Sequence, residues 1–306
     1  MAETESIGCP SPNCALPVDL LLRSNGGSVI GAHASMLGEK TGAFPTDDMD
    51  KVVVTDSELV DCPVRKEVLK VFLDMLHDDD QLSMNLSTIS ALDDDTMLDL
   101  VAAAELYQAE KVKDVCDSWI KLKAPERPWL AFRYALKHRD ISTLDRAAPY
   151  TLGSNLKVAY QVDRLDHLTA RAWYKYREPY IYAIDTFLAV PVPQKNSKRK
   201  LHSCGGWDYY EADVIGDVAA CTVDGLLKRI GPPSGAETVF SARRWLDALP
   251  IQIVNRDPML HGKTCGTCRT RANGWEMRVR ARVRALAGHK FSDVLRELDP
   301  IAFESG

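Results

Sequence analysis

Residues 18–44 (VDLLLRSNGGSVIGAHASMLGEKTGAF) constrain the fold of this chain more than any other segment. Apolar side chains alternate along residues 18–22, which is typical of a strand with one buried face. Asn25-Gly26-Gly27 follows, and glycine tolerates the positive φ that a tight two-strand turn needs. A second short apolar run resumes the strand, and His33 then opens a helix that ends near Phe44. The segment therefore predicts a β-hairpin followed directly by a helix.

The rest of the chain predicts one more strand and a series of helices. The β-branched run at residues 51–55 favours a strand. Pro63 suits the first turn of a helix, and the apolar residues after it recur on one face. Three consecutive aspartates at residues 93–95 are typical of a helix start, where the dipole favours negative charge. Further helices are expected over residues 97–107, from Glu110 through Trp119, and over residues 129–138, 142–148 and 163–176.

Composition indicates one large or two ordinary domains without a membrane span. The chain has 306 residues, of which 45% are hydrophobic, so it can bury a real core. No apolar run approaches the roughly 18 residues needed to cross a bilayer. The first residues, MAETESIGCP, do not resemble a signal peptide. Eight cysteines are sparse for this length, which favours a reducing compartment, and we expect an intracellular protein, cytoplasmic or nuclear.

The net charge of −5 conceals two regions of opposite sign. Residues 47–114 carry 18 Asp and Glu against 6 Lys and Arg, whereas residues 261–290 carry 8 Lys and Arg against one Glu. One interpretation is a pair of solvated faces. The other is attraction between the two regions, within one chain or between chains, or a basic surface for a partner.

Five residues of the first segment carry a resemblance to the BTB/POZ fold: Asp19, Ala32, His33, Leu37 and Phe44. Residues 102–107 (AAAELY) and 111–116 (KVKDVC) are similar to a helix pair of the same family. Residues 131–136 (AFRYAL) and 169–176 (TARAWYKY) resemble the helical extension of many fungal members. Ala34 departs from the pattern, because many members carry a basic residue there that pairs with the strand aspartate.

The resemblance implies an α+β chain with a BTB/POZ-like N-terminal domain, a short sheet plus helices, and a mostly α-helical extension. The expected boundaries are a disordered tail over residues 1–16, the BTB/POZ-like domain over 17–123 and a helical extension over 124–190. A linker or loop follows at 191–200, and a helical C-terminal region at 201–306.

The function that the resemblance implies is non-catalytic protein–protein interaction, with the chain self-associating as a homodimer and acting as an adaptor. Alternatives are a substrate adaptor for a cullin-type ubiquitin ligase and a nuclear regulator that uses a basic C-terminal helix. Asp19, His33 and Phe44 belong to the fold motif through which partners would dock. We assign His33 no chemistry, because a histidine at a helix start is most often a structural hydrogen-bonding group.

Cys265-Gly-Thr-Cys268 is the strongest chemical signal in the sequence. Two cysteines at this spacing can hold a tetrahedral Zn²⁺ by adjacent thiolates. His202 and Cys204 are the best candidates for the remaining ligands, with Cys221 and His261 as alternates. The pattern predicts a structural zinc clip across a long loop, and inert thiols or a redox pair are the alternatives. Cys9 and Cys14, in the predicted tail, are interpreted as free thiols.

Other motifs argue against catalysis and nucleic-acid binding. The sequence contains no GxSxG, GxxxxGK[ST] or HExxH motif, so we expect no enzyme. Residues 278–284 (RVRARVR) favour a helix with an apolar face and a basic face. One basic helix without interleaved aromatic residues is a small footprint for phosphate binding. Protein partners are therefore expected, and nucleic acid and membrane are not.

Overall fold

The chain has an α+β fold that is mostly helical and contains a small three-stranded mixed sheet. In the computed structural model, the residues described are 8–12, 14–43, 59–77, 87–152 and 156–188, with 270, 274, 277–278, 281–282, 284–286 and 288–300 nearer the C-terminus. The chain divides into two compact units, Met1–His138 and Arg139–Gly306. The predicted strand at residues 51–55 and the predicted linker at 191–200 lie outside the described residues.

The predicted hairpin is confirmed and forms two of the three strands. Strand β1 (Leu20–Arg23) pairs antiparallel with β2 (Val29–Ala32). Gly27 takes a φ of 77° in the turn, a conformation that L side chains rarely adopt. Strand β3 (Leu59–Asp61) lies parallel to β1 on its other side, so the strand order is β2-β1-β3.

Among its described residues, the first unit contains the helices α1 (Ala34–Lys40), α2 (Lys66–His77), α3 (Asp94–Leu106), α4 (Glu110–Leu122) and α5 (Pro128–His138). Residues 87–90 are helical as well. His33 stands at the N-cap of α1, as the sequence predicts. Helix α2 begins three residues later than expected from Pro63. The reason is that the Val64 carbonyl accepts a hydrogen bond from the Asn25 amide, 2.9 Å away, which commits this stretch to the hairpin turn.

The aspartate-rich start of α3 is also confirmed. Asp93 is the N-cap, and its Oδ1 accepts hydrogen bonds from the amides of Asp95 and Thr96 at 3.0 and 2.9 Å. These bonds satisfy donors that have no partner inside the helix. Helices α2, α3 and α4 then pack together around apolar side chains, with the Phe72 and Tyr107 rings 5.6 Å apart.

Acidic side chains of α3 form ion pairs within the first unit. The pairs are Asp94 with Arg127, Asp95 with Arg133 at 2.6 Å, Asp99 with Arg65 at 2.6 Å and Glu105 with Lys137 at 3.3 Å. The basic partners lie on or before neighbouring helices rather than in residues 261–290. These local ion pairs therefore neutralise part of the negative charge that the sequence shows in residues 47–114.

The residues of the second unit that the structure describes are mostly helical. They form α6 (Ile141–Ala147), a 3₁₀ turn (Ala148–Thr151), α7 (Leu156–Val162), α8 (His167–Leu188) and α9 (Phe291–Leu298). Helix α8 begins at residue 167 rather than 163, because Asp166 accepts from the Leu168 and Thr169 amides and so fixes the helix start. Among the helices described, none has both the length and the apolar character to cross a membrane.

Buried aromatic side chains hold the second unit together. The Trp173 indole N–H donates to the Thr151 hydroxyl at 2.9 Å, and both side chains are buried. Tyr176 stacks on His289, with ring centroids 4.9 Å apart. The Asp145 carboxylate accepts from the backbone amide of Ser292 at 2.9 Å, close to the start of α9. These contacts join residues that are up to 147 positions apart in sequence.

Candidate metal centre

Four potential metal ligands meet in the first unit: Cys9, Cys14, His33 and His77. We call them the Cys2His2 cluster. Their ligand atoms, two thiol sulfurs and two imidazole nitrogens, all lie within 4.8 Å of one another. The two cysteines precede β1, His33 joins β2 to α1, and His77 is the last residue of α2. Residues that are far apart in the sequence therefore bring their potential ligand atoms together at one site.

Gly31 allows the segment that carries the cysteines to approach β2. Its amide donates to the Gly8 carbonyl at 3.3 Å. A Cβ atom at residue 31 would lie 2.9 Å from the Val18 side chain and 3.1 Å from the Gly8 backbone, closer than real Cβ atoms normally approach. A turn closed by the Cys14 amide and the Ser11 carbonyl, 3.2 Å apart, then directs Cys14 back toward His33.

Backbone carbonyls fix the tautomer of both histidines. Nδ1 of His33 lies 2.7 Å from the Pro17 carbonyl oxygen, and Nδ1 of His77 lies 2.7 Å from that of Leu73. A carbonyl oxygen can only accept, so Nδ1 carries the hydrogen in each ring and Nε2 keeps its lone pair. Metal-binding histidines are commonly oriented by such a second contact.

Each Nε2 faces one thiol. Cys14 Sγ lies 3.1 Å from Nε2 of His33, and Cys9 Sγ lies 3.2 Å from Nε2 of His77. With the tautomers fixed as above, the thiols donate and the imidazoles accept. The two rings meet edge to face, with centroids 5.1 Å apart. The cluster is thus two S–H···N pairs placed side by side.

The environment of the cluster is partly buried. His33 is only 1% exposed, and the other three residues are half-buried. Burial raises the pKa of the Cys9 thiol to about 11, and the neighbouring Cys14 thiol and the Asp74 carboxylate act in the same direction. The thiol therefore keeps its proton at neutral pH unless a cation takes the place of that proton.

Two thiols and two neutral imidazoles form the ligand set of many tetrahedral metal sites. Around a Zn²⁺ ion with Zn–S bonds of about 2.3 Å, tetrahedral geometry places the two sulfurs about 3.8 Å apart. The upper limit of 4.8 Å on the separations of the four donor atoms exceeds this sulfur–sulfur distance by only about 1 Å. The cluster can therefore hold a tetrahedral cation without a change of fold.

The other cysteines that the structure describes have a different environment. Cys62 and Cys116 are both buried in the apolar core. Burial raises the pKa of both thiols, that of Cys116 to about 12. Thiols of this kind are inert packing groups.

The residues that the sequence singled out are only partly described. Asp19 Oδ1 accepts a hydrogen bond from the Ala34 amide at 2.8 Å, so the carboxylate caps the first turn of α1. His33 makes the structural hydrogen bond expected of it, and its other nitrogen lies in the cluster. Outside the described residues lie Phe44, the predicted zinc ligands His202, Cys204, Cys265 and Cys268, and the alternates Cys221 and His261.

Sequence reasoning missed Cys9, Cys14 and His77 as cluster members. The signal available was two cysteines five positions apart, each beside a proline or asparagine, with the histidines far downstream. Cys14 and His33 are separated by 19 positions, and Cys9 and His77 by 68. Known metal motifs place ligands on one or two short elements, so these separations match none of the expected spacings.

Comparisons with known proteins give no relative for this chain: no family model, no curated protein and no solved structure matches it.

Proposed function

We propose that this chain is a non-catalytic protein–protein interaction module that self-associates and acts as an adaptor. The observation that carries the proposal is the order of elements in the first unit. A β1–β2 hairpin, the His33-headed α1, strand β3, helix α2 and the α3–α4 pair follow one another as the BTB/POZ resemblance implies. The family resemblance suggests an interaction function, and this inference rests on analogy of fold.

An exposed apolar surface on α8 supports a binding role. Tyr174, Ile181 and Tyr182 recur at spacings of seven and eight residues, so they share one face of the helix. Their exposed fractions are 54%, 41% and 54%, which is high for large apolar side chains. We call these three residues the α8 patch. The Arg282 guanidinium lies 4.2 Å from the Tyr182 ring centroid, and arginine with tyrosine is typical of interface centres.

Helix α1 offers a weaker surface for self-association. Its buried side chains are Met36 and Leu37, whereas Ser35, Gly38 and Glu39 are exposed. A polar outer face of this kind releases little free energy when a second copy covers it. The α8 patch therefore offers a second copy of the chain more apolar surface than the outer face of α1 does.

Light scattering on the full chain tests the proposal. We expect twice the mass of one chain at tens of micromolar. The double variant Tyr174→Ser/Tyr182→Ser should shift the protein to a monomer, because it removes most of the patch. Tyr160→Ser on α7 is the matched control, since Tyr160 is 61% exposed and lies outside the patch. A parent chain that stays monomeric contradicts self-association.

Two alternatives have their own tests. A cullin-type ligase adaptor rests on the family resemblance alone, and a pull-down with purified cullin tests it. A nuclear regulator would use the basic helix around Arg278 and Arg284. Arg282 already contacts Tyr182, which commits one guanidinium of that helix to a contact within the chain. A DNA shift assay at low and high salt tests this alternative, because phosphate contacts weaken steeply with salt.

A further inference from the structure

We propose that Cys9, Cys14, His33 and His77 bind a structural Zn²⁺ ion that fastens the segment before β1 to the rest of the first unit. This inference does not depend on the proposed function. It also differs from the zinc clip predicted from the C-terminal cysteines, because it uses none of those ligands.

The ligand set favours zinc over the common cations that prefer oxygen ligands. Two sulfurs with two imidazole nitrogens in tetrahedral arrangement suit Zn²⁺, whereas Ca²⁺ and Mg²⁺ prefer oxygen ligands. Both histidines present Nε2 and hold Nδ1 on a carbonyl 2.7 Å away. Because the backbone already fixes both rings, little ordering is left for metal binding to impose.

Charge balance also favours a divalent cation. When Zn²⁺ binds, each thiol releases its proton to solvent, and two Zn–S and two Zn–N bonds replace the two S–H···N hydrogen bonds. Two thiolates and two neutral imidazoles then compensate the ion, so the half-buried complex carries no net charge. No electron is transferred, and the step needs no oxidant. A Cys9–Cys14 disulfide, by contrast, would require one.

The position of the cluster indicates what the metal does. The residues before β1 contact the sheet through the hydrogen bond from the Gly31 amide to the Gly8 carbonyl. A metal ion adds covalent-strength links from Cys14 to His33 at the start of α1, and from Cys9 to His77 at the end of α2. Three parts of the unit are then held at one point, which a short segment with little apolar surface could not achieve alone.

Metal analysis tests the proposal on the full chain with Cys204, Cys221, Cys265 and Cys268 all replaced by serine, here called the C-terminal serine variant. Purified under reducing conditions with zinc in the growth medium, it should retain about one zinc per chain. Adding Cys9→Ser and Cys14→Ser should remove that zinc. Absence of zinc from the C-terminal serine variant, or zinc that persists without Cys9 and Cys14, overturns the proposal.

Matched controls separate ligation from misfolding. In the C-terminal serine variant, His77→Gln should lose the zinc, whereas His167→Gln, at an exposed position, should keep it. Cys62→Ala should also keep it, because that thiol lies in the apolar core. If circular dichroism shows that the cysteine variants unfold, Co²⁺ titration of the C-terminal serine variant decides. A sulfur-to-cobalt charge-transfer band supports the site, and its absence overturns it.

Discussion

Removal of the metal should loosen one defined part of the first unit. The proposed zinc links Cys9 to His77, which are 68 positions apart. A link across a loop of that length reduces the entropy of the open chain by an amount worth about 4 kcal/mol at room temperature. Because about 1.4 kcal/mol corresponds to a factor of ten, opening of the linked region should become about a thousandfold more frequent without zinc.

Hydrogen exchange measured by mass spectrometry reads this change at individual segments. The C-terminal serine variant would be compared with and without a strong chelator under reducing conditions. Amides of β2, α1 and the last turn of α2 should exchange faster after chelation, by up to about a thousandfold. One reporter is the Leu37 amide, which donates to the His33 carbonyl at 3.1 Å.

The second unit serves as an internal control, because all four ligands belong to the first unit. Amides of α8 and α9 should exchange at the same rate with and without zinc. Exchange in β2, α1 and α2 that is unchanged by chelation would show that no metal holds these elements together. Equal acceleration in both units would also contradict the proposed zinc link, since it would indicate a general effect of the chelator.

Three further predictions concern single contacts. Thr151→Val should lower the free energy of unfolding in urea by about 2 kcal/mol, because it leaves the buried Trp173 indole N–H unpaired. In a Trp173→Phe background that cost should disappear, and an unchanged cost would contradict this assignment. Asp19→Ala should lower the free energy of unfolding, measured by thermal denaturation, by about 1 kcal/mol because the α1 cap is lost. Asp19→Asn should cost less, since an asparagine side chain can still accept the hydrogen bond, and equal losses would count against the cap. Hydrogen bonds from Thr96 hold the pKa of Asp93 below its usual range, so its stabilising effect is present at neutral pH and lost as pH falls through the lowered pKa. The cost of Asp93→Ala, about 1 kcal/mol at neutral pH, should therefore shrink in acid, and a pH-independent cost would contradict that assignment.

Local signals account for the parts of the fold that the sequence predicted well. The turn around Gly27 and the cap at Asp93 depend on neighbours within a few residues, so their patterns are legible in the chain. The sequence predicts starts for α2 and α8 that are three and four residues too early. In α2 the cause is a distant contact, since the Val64 carbonyl is held by Asn25. In α8 it is a local cap by Asp166 that the apolar pattern did not reveal.

The candidate metal site was beyond sequence reasoning for a related reason. The sequence predicts a structural hydrogen-bonding role for His33, and its hydrogen bond to the Pro17 carbonyl agrees with that role. For Cys9 and Cys14, the sequence predicts free thiols in a tail. Only the three-dimensional path of the segment along β2, permitted by the absence of a side chain at Gly31, brings them to His33 and His77. No short spacing in the sequence encodes that path.

X-ray absorption at the zinc edge identifies the atoms that bind the metal. In the zinc-loaded C-terminal serine variant, the zinc ion should have two sulfur neighbours at about 2.3 Å and two imidazole nitrogens at about 2.0 Å. The sulfur shell should disappear when Cys9 and Cys14 are also replaced by serine. A first shell made only of oxygen and nitrogen in the C-terminal serine variant would contradict the assignment of Cys9, Cys14, His33 and His77 as a zinc site.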